Sequence, residues 1–149
     1  MNIHYFSIGL ATLLLVYHQI TTWFPLYPWN DISGYTVKEL SLEAVSNGLL
    51  MGTGLACLIV GHYNFCFYYP LFYYPFLLVG EIFQWWMPFW SERFAKSGVN
   101  FEYDKRFMNT TKLIPHRVGK RTPDANHIIL HLVTLGTVII VFMDLNRKY

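Results

Sequence analysis

The sequence predicts an all-α integral membrane protein: an antiparallel four-helix transmembrane bundle with a long amphipathic cytoplasmic loop between helices three and four. Three observations predict it. Hydrophobic residues make up 54% of the chain and charged residues only 13%, about half the charge of a soluble domain, so lipid rather than water is the expected solvent. Four stretches approach the roughly 20 apolar residues that a helix needs to cross a hydrocarbon core of about 30 Å. Nearly all Lys and Arg residues gather on one side of those stretches. A chain of 149 residues accommodates one such domain, residues 1–149.

The spans cover about residues 3–24, 42–61, 67–90 and 125–145. The first lacks a basic leading region, carries His18 and Gln19, and is not followed by a small-residue cleavage site. It is therefore expected to be a retained helix and not a signal peptide. Pro25 and Pro28 end it, and Trp23, Tyr27 and Trp29 suit an interfacial belt. The second span carries Gly48 and Gly52, a GxxxG step that permits close helix contact. The turn HYNFC at 62–66 is short enough to make spans two and three a hairpin. Pro70, Pro75 and Pro88 predict kinks in the third span. That span, FYYPLFYYPFLLVGEIFQWWMPFW, is also aromatic enough to line a pocket for a flat or long apolar ligand. The fourth span has Thr122 as a cap, Pro123 in the first turn and Asp124 at the positive end of the dipole.

Orientation follows from the cations. Lys38 and eight residues of the 91–124 loop (Arg93, Lys96, Lys105, Arg106, Lys112, Arg117, Lys120 and Arg121) lie on one side, and Arg147 and Lys148 on the other. The positive-inside rule places the long loop in the cytoplasm and both termini on the non-cytoplasmic side. A net charge of +2 gives no reason to expect a nucleic-acid partner. Cys57 and Cys66 are nine apart with no CxxC, so they are expected to be plain thiols, buried or facing lipid.

One half of the membrane collects the polar groups. His18 lies near the inner end of the first span, Glu43 and Asn47 in the first turns of the second, Glu81 and Gln84 in the second half of the third, and His127 and His131 in the first turns of the fourth. At about 1.5 Å per residue most lie within roughly 10 Å of the inner boundary, with Glu81 deeper. Helical periodicity aligns His127, His131 and Thr134 in one stripe, Glu39, Glu43 and Asn47 in another, and Glu81, Gln84, Trp85 and Pro88 in a third. A charge in hydrocarbon costs several kcal/mol, about 2.5–3.5 on insertion scales, so these stripes should face one another or a wet cleft.

Acid–base chemistry is the leading expectation for this layer, with Glu81, His131, His18 and His127 as catalytic residues. Glu43, Asn47, Gln84 and Trp85 would line the ligand site. Arg117, Lys120 and Arg121, in PHRVGKR, would form a lid over His127 that grips an anionic head. The loop's apolar residues interleave with Lys and Arg, which also suits a segment lying on the headgroup layer. The expected partner is a membrane lipid or a lipid-like small molecule, with a homo- or hetero-oligomer as an option. A transporter of protons or a transition metal, or a haem protein held by His18 and His131, would use the same residues. The pattern lacks the HExxH glutamate, however, because residues 128–130 are Ile, Ile and Leu. No metal site is assigned, and the cofactor is left unknown. A non-catalytic partner subunit is the third reading.

Overall fold

The computed structural model describes residues 2–61, 64–97, 103–107, 109–116 and 120–147. Among them every regular element is helical. α1 (Ile3–Trp23) begins at Asn2, whose side chain accepts from the His4 N–H, and stops at Phe24, which turns extended ahead of Pro25. α2 (Val37–Val60) starts before the expected residue 42, because Thr36 and Glu39 form a reciprocal capping box that makes the polar turn helical. It ends at Gly61, whose φ of 63° suits glycine. Thr36→Ala should therefore cost about 0.5–2 kcal/mol. Thermal unfolding in detergent checks this, and an unchanged Tm would show that the cap carries no weight.

α3 (Asn64–Glu81) runs into a π-helical turn (Ile82–Trp86) and then α4 (Met87–Trp90). Two short helices follow, α5 (Glu92–Ser97) and α6 (Tyr103–Phe107), and α7 (Ala125–Arg147) closes the chain. Among the described residues, three helices are long and apolar enough to cross a membrane: Ile3–Trp23, Val37–Val60 and Ala125–Asn146, with mean hydropathies of 1.3, 1.5 and 2.3. α3 is not one of them. Its tyrosines (68, 69, 73 and 74) and its two internal prolines, Pro70 and Pro75, dilute an otherwise apolar stretch.

α1 packs on α2 and α7, and α3 packs on the same two helices. The core between them holds Leu14, Met51, Leu58, Tyr74 and Val141. The outer faces are as apolar as the core. Phe76 is 76% exposed and Leu42 is 69% exposed, a surface that suits lipid. Of the two glycines in the GxxxG step, Gly48 alone is in close contact, since a Cβ there would lie 3.0 Å from the Gln19 amide nitrogen. A side chain at Gly52 would meet nothing. A tighter approach is at Gly54, where a Cβ would lie 2.8 Å from the hydroxyl of the fully buried Tyr74. Gly54→Val should overpack this contact at a cost of about 1–3 kcal/mol, whereas Gly52→Ala should be neutral or mildly stabilising. Equal Tm values for the two variants would refute the assignment.

At one end of the α1–α7 pair, the Ser7 hydroxyl donates to Asp144 Oδ2 (2.8 Å), and His4 Nδ1 pairs with the same oxygen (2.8 Å). Asp144, one residue before the end of the fourth apolar run, is outside the expected polar layer. At the opposite end, Asp124 rather than Thr122 caps α7: its Oδ1 accepts from the His127 N–H at 3.0 Å. Thr122 is occupied elsewhere, accepting from and donating to the Tyr103 hydroxyl through its backbone.

Candidate functional site

The end of α7 that begins at Asp124 faces a cavity of about 260 Å³. His18 reaches it from α1, Glu43 and Asn47 from α2, Tyr73 and Glu81 from α3, Gln84 and Trp85 from the π-helical turn, and His127 and His131 from α7. A smaller void of about 50 Å³ shares His18, Glu43 and His127 with it and is closed by Thr21, Asn30, Tyr35 and Phe107. The polar stripes of four helical segments thus border one space. Glu39 does not. It turns outward to its capping box and to Arg106.

The π-helical turn changes the third stripe. A regular helix would put Gln84 on the same face as Glu81, Trp85 and Pro88. Widening the turn leaves Gln84 exposed at the rim and swings two successive indoles toward α7. The Trp85 ring lies 3.8 Å from the His127 ring, centroid to centroid. Trp86 donates its Nε1–H to His131 Nδ1 at 2.9 Å. An indole only donates, so Nδ1 of His131 is the acceptor nitrogen and the proton of a neutral ring sits on Nε2. That Nε2 is buried and, among the described residues, has no hydrogen-bond partner.

Glu81 is buried, and its Oε1 lies 2.8 Å from the Thr134 hydroxyl. Thr134 also reaches the Leu130 carbonyl at 3.0 Å. A hydroxyl has one hydrogen. When Thr134 donates to the carbonyl, Glu81 must supply the proton between the two oxygens, and the carboxyl is then neutral. Its second oxygen, Oε2, has no partner either, and the same is true of the buried Tyr73 hydroxyl.

His127 is held differently. Its Nδ1 lies 2.6 Å from Asp124 Oδ1, and the fully buried Asp124 also accepts from the Thr110 hydroxyl at 2.9 Å. Nδ1–H is thereby committed to the carboxylate, and Nε2 is the nitrogen left for chemistry. This is the carboxylate–imidazole arrangement that fixes a general base in one tautomer. The only sequence signal for the pair is the spacing D-x-x-H at 124–127, which the capping argument absorbed. His18 stands across the cavity, with Nε2 3.9 Å from Glu43 Oε1.

The inner end is covered by aromatic rings. Tyr103 and Phe107 of α6 pack on Trp85, with Tyr35 and Trp86 around them. Arg106 ties this cover down: it donates to Glu39 at 2.8 Å and lies 4.0 Å above the Tyr35 ring. Burial, with the Glu43 carboxylate nearby, pushes the Tyr35 hydroxyl up to about 12, so it remains a neutral phenol.

Of the expected basic lid, two cations lie among the described residues. Lys120 donates to the Trp90 carbonyl at the end of α4 (3.2 Å), Arg121 does not border the cavity, and Arg117 lies outside the described residues. The sequence pattern could not separate cations that satisfy backbone from cations that face a ligand. Among the described residues, no three His, Cys, Asp or Glu side chains group closely enough to hold a metal ion. Comparison with protein-family models, with curated proteins and with solved structures finds no match to this chain.

Proposed function

We propose that this chain is a polytopic membrane protein that binds a lipid-like amphiphile in the cavity and transfers protons to and from its head. In this reading α1, α2, the α3–α4 run and α7 are four antiparallel spans. The packing of α1 and α3 against both α2 and α7 supports this. The crowding of Lys and Arg into residue 38 and the 91–124 segment supports termini on the non-cytoplasmic side. The observation that carries the reading is the Asp124–His127 pair beside two unsatisfied buried groups, Glu81 Oε2 and His131 Nε2, on one cavity.

The roles follow from the hydrogen bonds. His127 is the base, positioned by Asp124 and stacked on Trp85. Glu81 is the acid, held by Thr134. His131 donates from Nε2 to an oxygen of the ligand, and His18 with Glu43 closes the opposite wall. No Lys or Arg borders the cavity among the described residues, so the head that fits is an uncharged hydroxyl or carbonyl.

The test is isotopic. Protein in nanodiscs is incubated in D2O with a total membrane lipid extract, and the lipids are then analysed by mass spectrometry. One lipid should gain deuterium at a carbon position, and His127→Ala should abolish the gain. Exchange that persists at wild-type rate in His127→Ala would end the acid–base reading.

A proton-conducting role is the second reading, favoured by the buried Asp144 near the other end of α7. It predicts acidification of liposomes under an imposed potential, lost in both Asp144→Asn and Glu81→Gln.

A further inference from the structure

The cavity wall formed by His18, Glu81, Trp85 and His131 is buried, whereas lining residues between α2 and α3 are exposed. We infer that its ligand enters sideways from the bilayer through a portal between α2 and the end of α3, framed by Leu50, Phe76, Gly80 and Gln84. The ligand would be a single-chain amphiphile with a hydroxyl or carbonyl head. This inference rests on the reading above and names the substrate class and its route.

Three independent observations carry it. First, cavity-lining residues on this side are exposed: Phe76 is 76% and Leu50 is 47% accessible, and Gly80 and Gln84 are exposed as well, while His18, Glu81, Trp85 and His131 on the inner wall are buried. Second, the two helices part here. They are in close contact where Tyr74 sits over Gly54 and where the Tyr69 hydroxyl donates to the Leu50 carbonyl at 3.1 Å. Past Glu81 the backbone of the π-helical turn and of α4 stands away from both α2 and α7 among the described residues, and on the α7 side Trp85 and Trp86 bridge the distance to His127 and His131. Third, a side chain built at Gly80 would meet nothing within 4 Å. The frame therefore has a gap in it.

The size and polarity of the space define what passes through. A volume of about 260 Å³ falls short of the roughly 300–1,000 Å³ of pockets that enclose a drug-sized ligand. It holds a head and a few carbons, and the rest of a chain must lie in the portal and in lipid. A hydroxyl satisfies both leftover groups at once, accepting from His131 Nε2–H and donating to Glu81 Oε2. A carbonyl accepts from His131 and, when the carboxyl is neutral, from Glu81. A carboxylate would meet Glu43 and Glu81 with no cation to offset them.

The experiment uses the full chain in nanodiscs and a C16 alcohol with a diazirine midway along its chain. Labelling is counted only where excess unlabelled alcohol competes it away. In the wild-type protein, competable labelling should fall on the Leu50 and Phe76 regions. The analogous C16 carboxylate should compete at least tenfold less well. Gly80→Trp should cut labelling at least tenfold. Gly9→Trp is the control, because a side chain at Gly9 of α1 also meets empty space, and it should change nothing.

A short, water-soluble alcohol separates the route from the site. If Gly80→Trp blocks the C16 alcohol but not protection of His127 from diethyl pyrocarbonate by the short alcohol, the portal stands. If Gly80→Trp leaves C16 labelling intact while His131→Ala and Glu81→Gln remove it, the site is real and the portal is overturned. Labelling that falls equally on Gly9→Trp and Gly80→Trp, or that no unlabelled alcohol competes, overturns the inference together with the site's ligand class.

Discussion

Asp124→Asn should slow proton exchange on the bound lipid by about 10²–10⁴-fold, the range that a positioned acid or base contributes, while leaving the lipid bound. Oδ1 makes both contacts to His127, to its backbone N–H and to Nδ1, so an asparagine cannot replace both. With its amide nitrogen at that position it donates to Nδ1, which stabilises the tautomer with its proton on Nε2, one that cannot act as a base, at the expense of the cap. The direct check is the ¹⁵N spectrum of histidine-labelled protein, where one ring should exchange its pyrrole-like and pyridine-like nitrogens. A spectrum and an exchange rate both unchanged from wild type would remove Asp124 from the mechanism.

The same residue predicts a pH dependence. Burial opposes ionisation of Asp124, but the hydrogen bonds from His127 and Thr110 and the charge of His127 prevail and hold its carboxyl below the usual aspartate range. A carboxyl depressed in the folded state contributes stability that is complete above its unfolded value, about 3.9. That contribution is lost as pH falls through the lower native value. The Tm advantage of wild type over Asp124→Asn should thus shrink as the pH is taken below about 4. An advantage that grows on acidification would contradict the sign.

Phe107→Ala should destabilise the cover of the cavity by about 3–5 kcal/mol, as expected for deleting a buried aromatic. Phe107 is 2% exposed, and its ring contacts Trp85 at 5.0 Å, His127 at 5.3 Å, Tyr103 at 5.9 Å and Tyr35 at 6.4 Å. Its loss leaves four rings with a common void beside His127. The long-helix core around Leu14, Met51 and Tyr74 is a separate cluster. Unfolding should therefore be local, with hydrogen exchange rising in α6 and the first turn of α7 ahead of α1 and α2. Uniform exchange throughout the chain, or an unchanged profile, would show that α6 is not a distinct cover. Arg106→Ala should produce a weaker version of the same profile, since its ion pair with Glu39 is exposed.

How much of this was legible beforehand varied with the range of the interaction. The ends of α1 and the start of α7 near residue 125 were readable because prolines and caps act within a few residues. The start of α2 was missed because a capping box makes a charged turn helical, and a hydropathy reading counts charge as a break. The tyrosine-rich third stretch reads as a span by length and aromatic content but fails a hydropathy measure that scores tyrosine as polar. The depth of Glu81, His127 and His131 followed from helical rise alone. Their partners did not: Thr134 and Trp86 are determined by which face of α7 meets which face of α3, and no local pattern encodes that.

The sequence by itself determined that the chain is helical and apolar enough for several membrane crossings, although among the described residues three of the four spans it offered are helices long and apolar enough to cross. Composition and periodicity suffice for this because burial in lipid and the geometry of a single helix are properties of contiguous residues. Only the tertiary structure decided that Asp124 commits His127 to one tautomer, that rings of α6 cover the site, and that a π-helical turn brings two indoles to the two histidines. Those outcomes depend on the relative rotation of helices far apart in the chain. A hydrogen bond is made or lost over about 1 Å of displacement, a precision that side-chain patterning along one helix does not carry.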